Sequence, residues 1–310
     1  MNDINLIVIL GPTASGKTGL GVAAARLLGG EVVSADSRQV FRGMDLGTGK
    51  DLDEYGETPC HLIDIADAGD DYSVFAFQRD CYAAFEDVWR RQRMPLLVGG
   101  TGLYLEAVLQ GYRMVEVPEN RALRDELAGF DDEALRARLL QVRPGQHNRT
   151  DLEDRERLVR AIEVAEGSVA AEAELPPLPE VRPLVYGLRW PRELLRQRIT
   201  ARLRERLEQG MVDEVARLHA EGVAWPDLEF YGLEYRFVAQ HLQGQLNRND
   251  MFQKLCSAIH QFAKRQETWF RRMERRGVSI CWLDGERDPL AQLHGDLLRR
   301  GVAGSEVGGA

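Results

Sequence analysis

The residues best suited to chemistry lie near the N-terminus, in a glycine-rich stretch that ends in Gly16-Lys17-Thr18. The apolar run Leu6–Leu10 predicts a buried strand before it, and Leu20–Leu28 predicts a helix after it. In that context the spacing is typical of a phosphate-binding loop (P-loop), in which backbone N–H groups at a helix N-terminus surround an anion, as in proteins that bind ATP and other nucleotides. Lys17 would place a positive charge on a terminal phosphate, and the Thr18 hydroxyl would bind the accompanying Mg²⁺. The predicted loop comprises Gly11, Pro12, Thr13, Ala14, Ser15, Gly16, Lys17 and Thr18.

Two carboxylates lie at or near the ends of predicted strands. Asp36 comes shortly after the short strand candidate Glu31–Ser34, and Asp64 lies near the end of the strand candidate His61–Ile65. Because ligands bind at the carboxyl ends of parallel strands, we expect Asp36 to face whatever the P-loop holds. A carboxylate there can accept a proton from a nucleophile or hold a metal ion through water, whereas the structural alternative is a turn or helix-cap aspartate. Asp64 is the nearest equivalent of the acidic residue with which nucleotide hydrolases hold magnesium.

The strand Pro95–Val98 leads into Gly99-Gly100-Thr101, where a typical ATPase has an aspartate. The glycines let backbone approach a ligand closely, and Thr101 is a neutral donor and acceptor. ATP hydrolysis is therefore disfavoured.

The pattern of elements predicts an α/β fold, with a P-loop NTPase-like parallel sheet flanked by helices and a helical insertion domain. The first part of the core is expected over 1–117, the insertion over 118–182, the second part of the core over 183–300 and a flexible tail over 301–310. Predicted helices are Ser73–Arg93, Asp132–Val142, Asp151–Glu166, one starting near Pro191, Gly232–Gln243, Asp250–Arg272 and Pro289–Arg300; the later strands are Leu184–Leu188 and Val278–Leu283.

The composition is that of a soluble globular protein, with 310 residues, 44% hydrophobic content and a formal net charge of −9. The four cysteines form no C-x-x-C pair, so we expect free thiols. No basic, apolar leader and no long apolar run is present, so we expect a cytoplasmic protein without a membrane contact. Seven arginines and two glutamates lie between Arg189 and Arg206. Arg198, Arg202 and Arg206 share one helix face, which is either solvated or beside an anionic ligand.

Ordered segments along most of the chain resemble the tRNA dimethylallyltransferases, also called tRNA isopentenyltransferases. The segments are GPTASGKT, SADSRQVFRGMDLGTGK, HLIDIAD, DYSVFAFQRD, PLLVGGTGLY, RLVRAIEV, RQRITARLRERLEQGMVDEV and AKRQETWFRR. The resemblance implies transfer of a dimethylallyl group from dimethylallyl diphosphate to N6 of the adenosine at position 37 of tRNA, with Mg²⁺ as cofactor. It also implies that the helical insertion clasps the tRNA anticodon stem-loop and that the P-loop holds a diphosphate leaving group rather than ATP. A monomer is expected.

The resemblance also implies roles for individual residues. Asp36 matches the catalytic base that takes a proton from N6, and Thr101 matches a threonine close to the base and the diphosphate. The residues implied to bind the diphosphate are the eight of the P-loop with Arg198 and Arg202, and those implied to contact tRNA are Asp36, Ser37, Arg38, Gln39, Thr101, Arg124 and Arg160.

Three segments depart from the family pattern. Gly232-Leu233-Glu234-Tyr235 stands where the family has G-Y-[KR]-[EQ], Ile259-His260-Gln261 where it has T-R-Q, and Gly47-Thr48-Gly49-Lys50-Asp51 where it has G-T-A-K-P. The first two departures remove a tyrosine and two cations, for which Tyr235, Arg236 and His260 are candidate replacements. The open alternatives are an adenylate isopentenyltransferase acting on free AMP, a P-loop small-molecule kinase, and an inactive tRNA-binding paralogue.

Overall fold

The computed structural model describes residues 4–114, 116–142, 154–168 and 177–302. The chain divides into two compact units, one comprising residues 1–110 and 179–310 and the other Gly111–Leu178. The second unit overlaps the segment 118–182, which was predicted as an insertion. The predicted tail lies outside the described residues from 303 onward.

The larger unit contains a six-stranded sheet in which every paired strand is parallel. The strands are β1 (Leu6–Leu10), β2 (Glu31–Ala35), β3 (Cys60–His61), β4 (Pro95–Gly99), β5 (Pro183–Arg189) and β6 (Ile280–Asp284), in the order β3-β2-β4-β1-β5-β6. All residues of β1, β2 and β4 are buried, as expected for parallel strands that are covered on both faces. Since β4 lies between β2 and β1 and all three strands are parallel, the loops that follow them meet at one edge of the sheet.

The helices cover both faces of this sheet and build the second unit. Their bounds are α1 (Lys17–Leu28), α2 (Val74–Arg90), α3 (Gly102–Leu109), α4 (Arg121–Ala128), α5 (Asp132–Val142), α6 (Arg155–Ser168), α7 (Arg192–Glu208), α8 (Met211–Ala220), α9 (Trp225–Phe230), α10 (Leu233–Leu242), α11 (Arg248–Arg275) and α12 (Pro289–Arg299), with a 3₁₀ turn at Leu52–Glu54. Among the described residues, no helix is both long and apolar enough to cross a lipid bilayer.

The strand prediction for His61–Ile65 was wrong beyond His61. Leu62 and Asp64 have φ angles of 63° and 56°, a left-handed conformation that ends the extended backbone. The carboxylate of Asp64 instead pairs with the buried ammonium of Lys50, which Asp45 also contacts at 2.8 Å. Asp64 is therefore the partner of a structural lysine and does not end a strand beside the P-loop.

The smaller unit, Gly111–Leu178, has its own apolar core. Its three described helices pack around Leu127, Leu135, Leu139, Leu158 and Ile162, all fully buried. Two of these helices, α5 and α6, overlap the predicted ones, and the first three residues of the predicted helix Asp151–Glu166 lie outside the described residues. The third, α4, was not predicted, because its eight residues carry only two buried leucines, Leu123 and Leu127.

Candidate active site

The P-loop joins β1 to α1 and adopts the conformation of an anion-binding nest. Ala14 and Gly16 have φ angles of 60° and 87°, so left-handed residues alternate with right-handed ones along the loop. The Ser15 amide donates to the Pro12 carbonyl at 3.2 Å, which closes the turn before the helix. Such alternation turns successive N–H groups toward one point, where the positive end of α1 adds to their field.

Side chains from the β5–α7 segment hold the carbonyls of this loop. The indole Nε1 of Trp190 donates to the Ser15 carbonyl at 2.9 Å, and Nε of Arg198 donates to the Ala14 carbonyl at the same distance. The Arg198 guanidinium also stacks on the Trp190 ring, 4.2 Å from its centroid. Arg198 is therefore at the P-loop, as predicted, and its donor Nε is used to fix the loop itself.

Gln266 of α11 ties the P-loop to the loop after β4. Its Oε1 accepts from the Thr13 amide at 2.8 Å, and its Nε2 donates to the Gly100 carbonyl at 2.9 Å. The side chain is buried, with 7% of the residue exposed. A Cβ at Gly100 would lie 2.6 Å from this amide nitrogen and 3.4 Å from Cε of Lys17, so only glycine allows the two loops to approach this closely.

The hydroxyl of Ser15 is buried and has no hydrogen-bond partner among the described residues. Its residue is only 2% exposed and lies within the nest of amides. Because buried polar atoms are nearly always paired, an unpaired hydroxyl in this position indicates a site that is completed by a polar ligand.

Lys17, the first residue of α1, also belongs to the P-loop, and its pKa is lowered. Burial lowers the pKa of its ammonium to about 8, against an opposing attraction from Asp36 and further lowering by Arg202 and Arg206. The strand ends thus bring Asp36 within electrostatic reach of the P-loop lysine, as the sequence predicted.

The loop after β2 and the start of α3 are joined through Thr101. Its Oγ1 accepts from the Ser37 amide at 3.0 Å, and its own amide donates to the Ala35 carbonyl at 3.2 Å. One oxygen of the Asp36 carboxylate accepts from the Arg38 amide at 3.0 Å, which orients the carboxylate at the strand end. The two predicted catalytic residues are therefore held in adjoining loops.

Arg38 and Gln39, both implied to contact tRNA, have different environments. The Arg38 guanidinium lies over the ring of Phe230, 5.4 Å from its centroid, and Phe230 is 69% exposed. Gln39 is buried and uses its amide within the protein, accepting from the Ser34 hydroxyl and donating to the Gly49 carbonyl at 3.0 Å each. In this structure Gln39 shapes the loop around it.

Arg202 pairs with Asp51, a residue at one of the departures from the family pattern. Two of the candidate replacements, Tyr235 and Arg236, are engaged away from the P-loop. Tyr235 is a core residue, 1% exposed, whose hydroxyl donates to Glu214 at 2.7 Å. Nε of Arg236 donates to the Glu229 carbonyl at 3.2 Å on the surface.

Arg124 and Arg160 lie in the unit Gly111–Leu178 and converge on one buried carboxylate. Arg124 donates to both oxygens of Glu163, at 3.2 and 3.0 Å, and Arg160 donates to Glu163 and to the Val117 carbonyl. Although burial opposes it, these donors and the Asn120 amide lower the pKa of Glu163 to about 2. Arg124 therefore joins α4 to α6, and Arg160 joins α6 to the segment before α4.

The sheet order, the nest and the lysine at the start of α1 define a P-loop protein with an NTPase-like core. A profile of the family described as IPP transferase matches residues 39–273. The tRNA dimethylallyltransferase 2 of Syntrophotalea carbinolica is 65% identical over 289 residues, which are 93% of this chain and 97% of that protein. The tRNA dimethylallyltransferase 1 of Geotalea uraniireducens is 63% identical and covers 95% of this chain and 97% of its own length. The chain belongs to the IPP transferase family.

Solved structures agree with this assignment. The full-length tRNA isopentenylpyrophosphate transferase from Bacillus halodurans has a TM-score of 0.70 and 30% sequence identity, with 96% of each chain covered. A eukaryotic dimethylallyltransferase, described as acting on tRNA, has a TM-score of 0.74 at 24% identity and covers 97% of this chain and 78% of its own. The second likeness shows the shared fold alone.

Proposed function

We propose that this protein transfers a dimethylallyl group from dimethylallyl diphosphate to N6 of the adenosine at position 37 of tRNA, releasing diphosphate. Relatives named tRNA dimethylallyltransferase at over 60% identity support the reaction class. The observation that carries the proposal is that the Asp36 carboxylate, oriented at the end of β2 by the Arg38 amide, lies within electrostatic reach of Lys17 of the P-loop. An acceptor activated by this carboxylate would lie next to a diphosphate held by the nest.

In the proposed reaction the N6 nitrogen attacks C1 of the dimethylallyl group, and the C1–O bond to the diphosphate breaks. The exocyclic amine is a poor nucleophile, so removal of its proton by Asp36 as the new C–N bond forms lowers the barrier. The backbone amides of the P-loop, the Ser15 hydroxyl and Lys17 receive the charge that develops on the departing diphosphate. Thr101 positions the Asp36 loop through its bond to the Ser37 amide.

The donor set at the loop fits a magnesium ion. The Thr18 hydroxyl is a hard oxygen ligand that would hold the ion, and Mg²⁺ keeps several of its sites for water and substrate phosphates. When bound, the ion would neutralise charge on the diphosphate.

The acceptor base must leave its stack in the anticodon loop to reach Asp36. The exposed Phe230 ring with Arg38 over it lies near that carboxylate, since Asp36 contributes to the electrostatic environment of the Arg38 guanidinium. The helical unit would clasp the anticodon stem-loop by shape. The proposal includes action as a monomer in the cytoplasm, where the tRNA is.

The test is incubation of the protein with Mg²⁺ and isotopically labelled dimethylallyl diphosphate, offering unmodified tRNA, AMP, or ATP with small acceptors in parallel reactions. We expect label in tRNA, recovered after digestion as N6-dimethylallyladenosine. Label only in AMP would indicate an adenylate isopentenyltransferase. Phosphate transfer from ATP to a small acceptor would indicate a kinase, and tRNA binding without label transfer would indicate an inactive paralogue.

A further inference from the structure

Arg206 is the third arginine of the stripe on α7 and the one most deeply buried. It is 8% exposed and projects toward the loop that follows β2 and precedes β3. Its Nη2 lies 3.4 Å from one oxygen of Asp51, whose other oxygen pairs with Arg202. One carboxylate is thus shared between two guanidinium groups.

The backbone beside Arg206 is shaped around its guanidinium. Gly49 has a φ of 70°, which favours glycine, and a Cβ at this position would lie 2.6 Å from Cζ of Arg206. Any other residue would therefore push the guanidinium away. The Gly49 carbonyl is fixed by the buried Gln39 amide at 3.0 Å, so the loop cannot simply move aside.

Arg206 faces the P-loop across a small cavity. The residues that line it include Thr13 and Ala14 of the P-loop, Arg202, Arg206 and Glu234. Arg202 and Arg206 both act on the ammonium of Lys17, lowering its pKa further after burial has done so, which puts the three cations in one electrostatic neighbourhood. Like charges are brought together in this way where an anion is bound.

The positions that surround Arg206 are those at which the chain departs from its family pattern. Gly49 and Asp51 replace the alanine and proline of G-T-A-K-P, and Glu234 replaces the cation of G-Y-[KR]-[EQ]. Gly49 makes room for the guanidinium, and Asp51 and Glu234 are carboxylates that face it. The changes at Gly49, Asp51 and Glu234 therefore form a single rearrangement around one side chain.

We propose that Arg206 is a diphosphate-binding residue that supplies from α7 the cation missing at Glu234, and that Gly49 and Asp51 position it. This inference rests on the proposed function, since it adds a residue to the site that holds the leaving group. The guanidinium provides up to five N–H donors, and its hydrogen bond to Asp51 uses one of them. The remaining donors suit phosphate oxygens.

The experiment measures binding of inorganic diphosphate with Mg²⁺ by calorimetry to the full-length protein. Arg206→Met keeps the length of the side chain and removes its charge, and we expect its diphosphate affinity to fall about 10- to 100-fold, as for loss of a charge-assisted hydrogen bond. The matched control is Arg204→Met on the same helix, where the exposed guanidinium lies over the ring of Phe252. The control should change diphosphate affinity less than about twofold.

Two further variants separate binding from a purely structural role. Arg206→Lys restores a charge and should recover part of the affinity. Gly49→Ala keeps Arg206 but displaces its guanidinium, and it should weaken diphosphate binding while tRNA affinity stays unchanged. Wild-type diphosphate affinity in either Arg206→Met or Gly49→Ala, or an equal loss of diphosphate and tRNA affinity, would overturn the inference.

Failure of the inference is distinguishable from failure of the proposed function. If the wild-type protein binds diphosphate and loses it on Lys17→Ala, but Arg206→Met binds normally, then only the role of Arg206 is wrong. If the wild-type protein binds no diphosphate with Mg²⁺, both the inference and the proposed function are wrong.

Discussion

Replacement of Gln266 by alanine tests whether the two glycine-rich loops are held by one side chain. The Gln266 amide is buried and forms hydrogen bonds of 2.8 and 2.9 Å to the Thr13 amide and the Gly100 carbonyl. Its removal leaves the partly buried Thr13 amide and the buried Gly100 carbonyl without this partner, at about 1–3 kcal/mol each, so we expect a loss of about 2–6 kcal/mol in the free energy of unfolding. The P-loop also loses its fixed distance from Thr101, so kcat/KM for prenyl transfer should fall at the same time.

Urea unfolding of the full-length protein measures the free energy, with Gln261→Ala as the control on the exposed face of the same helix. The control should lie within about 0.5 kcal/mol of wild type. Gln266→Glu gives a sharper test, because a carboxylate can accept from the Thr13 amide but cannot donate to the Gly100 carbonyl. Its stability should fall between those of the wild type and Gln266→Ala. If Gln266→Ala unfolds like the Gln261→Ala control, the bridge does not hold the loops.

Three more outcomes are expected. Burial lowers the pKa of Lys17 to about 8, and the protonated form binds the anion, so diphosphate affinity should be full below that pH and fall as the pH rises above it, by up to about tenfold per pH unit. Calorimetry across pH 7–10 measures this fall. An equal fall in Lys17→Arg, whose charge persists, would contradict the prediction. The pKa of Glu163 is lowered to about 2 in the folded state, so its stabilising contribution is present above its ordinary value of 4.5 and is lost as the pH falls toward 2. Because the arginines left behind stay partly exposed, Glu163→Gln at pH 7 should cost about 1.5–3 kcal/mol in urea unfolding. A loss no larger than that of the exposed Glu119→Gln would refute the role of this carboxylate. Thr101→Val removes the acceptor of the Ser37 amide and should lower kcat at unchanged diphosphate affinity, whereas a loss of affinity with normal kcat would show that Thr101 binds the leaving group.

The parts of the fold and site that could be predicted are those that depend on local sequence patterns, such as apolar runs and motif spacing. Leu6–Leu10 reads as a buried strand because it is wholly apolar, and the P-loop follows it with fixed spacing. Asp36 could be placed beside that loop because parallel strands end at one edge of the sheet. The place of Arg198 near the diphosphate was implied by the family resemblance and not by its stripe on α7, and neither predicted its bond to the Ala14 carbonyl.

The features that could not be predicted depend on distant parts of the chain. Gln266 contacts Thr13, which is 253 residues away in the sequence, so no local sequence pattern predicts this contact. The place of Arg206 depends on a glycine in a loop about 150 residues earlier, and the departure at Gly49 gains its meaning only when the two are seen together. The short helix α9 has a single buried residue, Leu228, which is too weak a signal for periodicity to detect.

The central claim is that the Asp36 carboxylate accepts the proton of an adenine amine beside a diphosphate held by the P-loop. Single-turnover transfer of labelled dimethylallyl to unmodified tRNA, measured for the wild type and Asp36→Asn at saturating diphosphate substrate, tests this claim most directly. We predict that Asp36→Asn binds tRNA and diphosphate as the wild type does but transfers label about 10²- to 10⁴-fold more slowly, since the amide keeps the shape and cannot take the proton. A transfer rate close to that of the wild type would contradict the account.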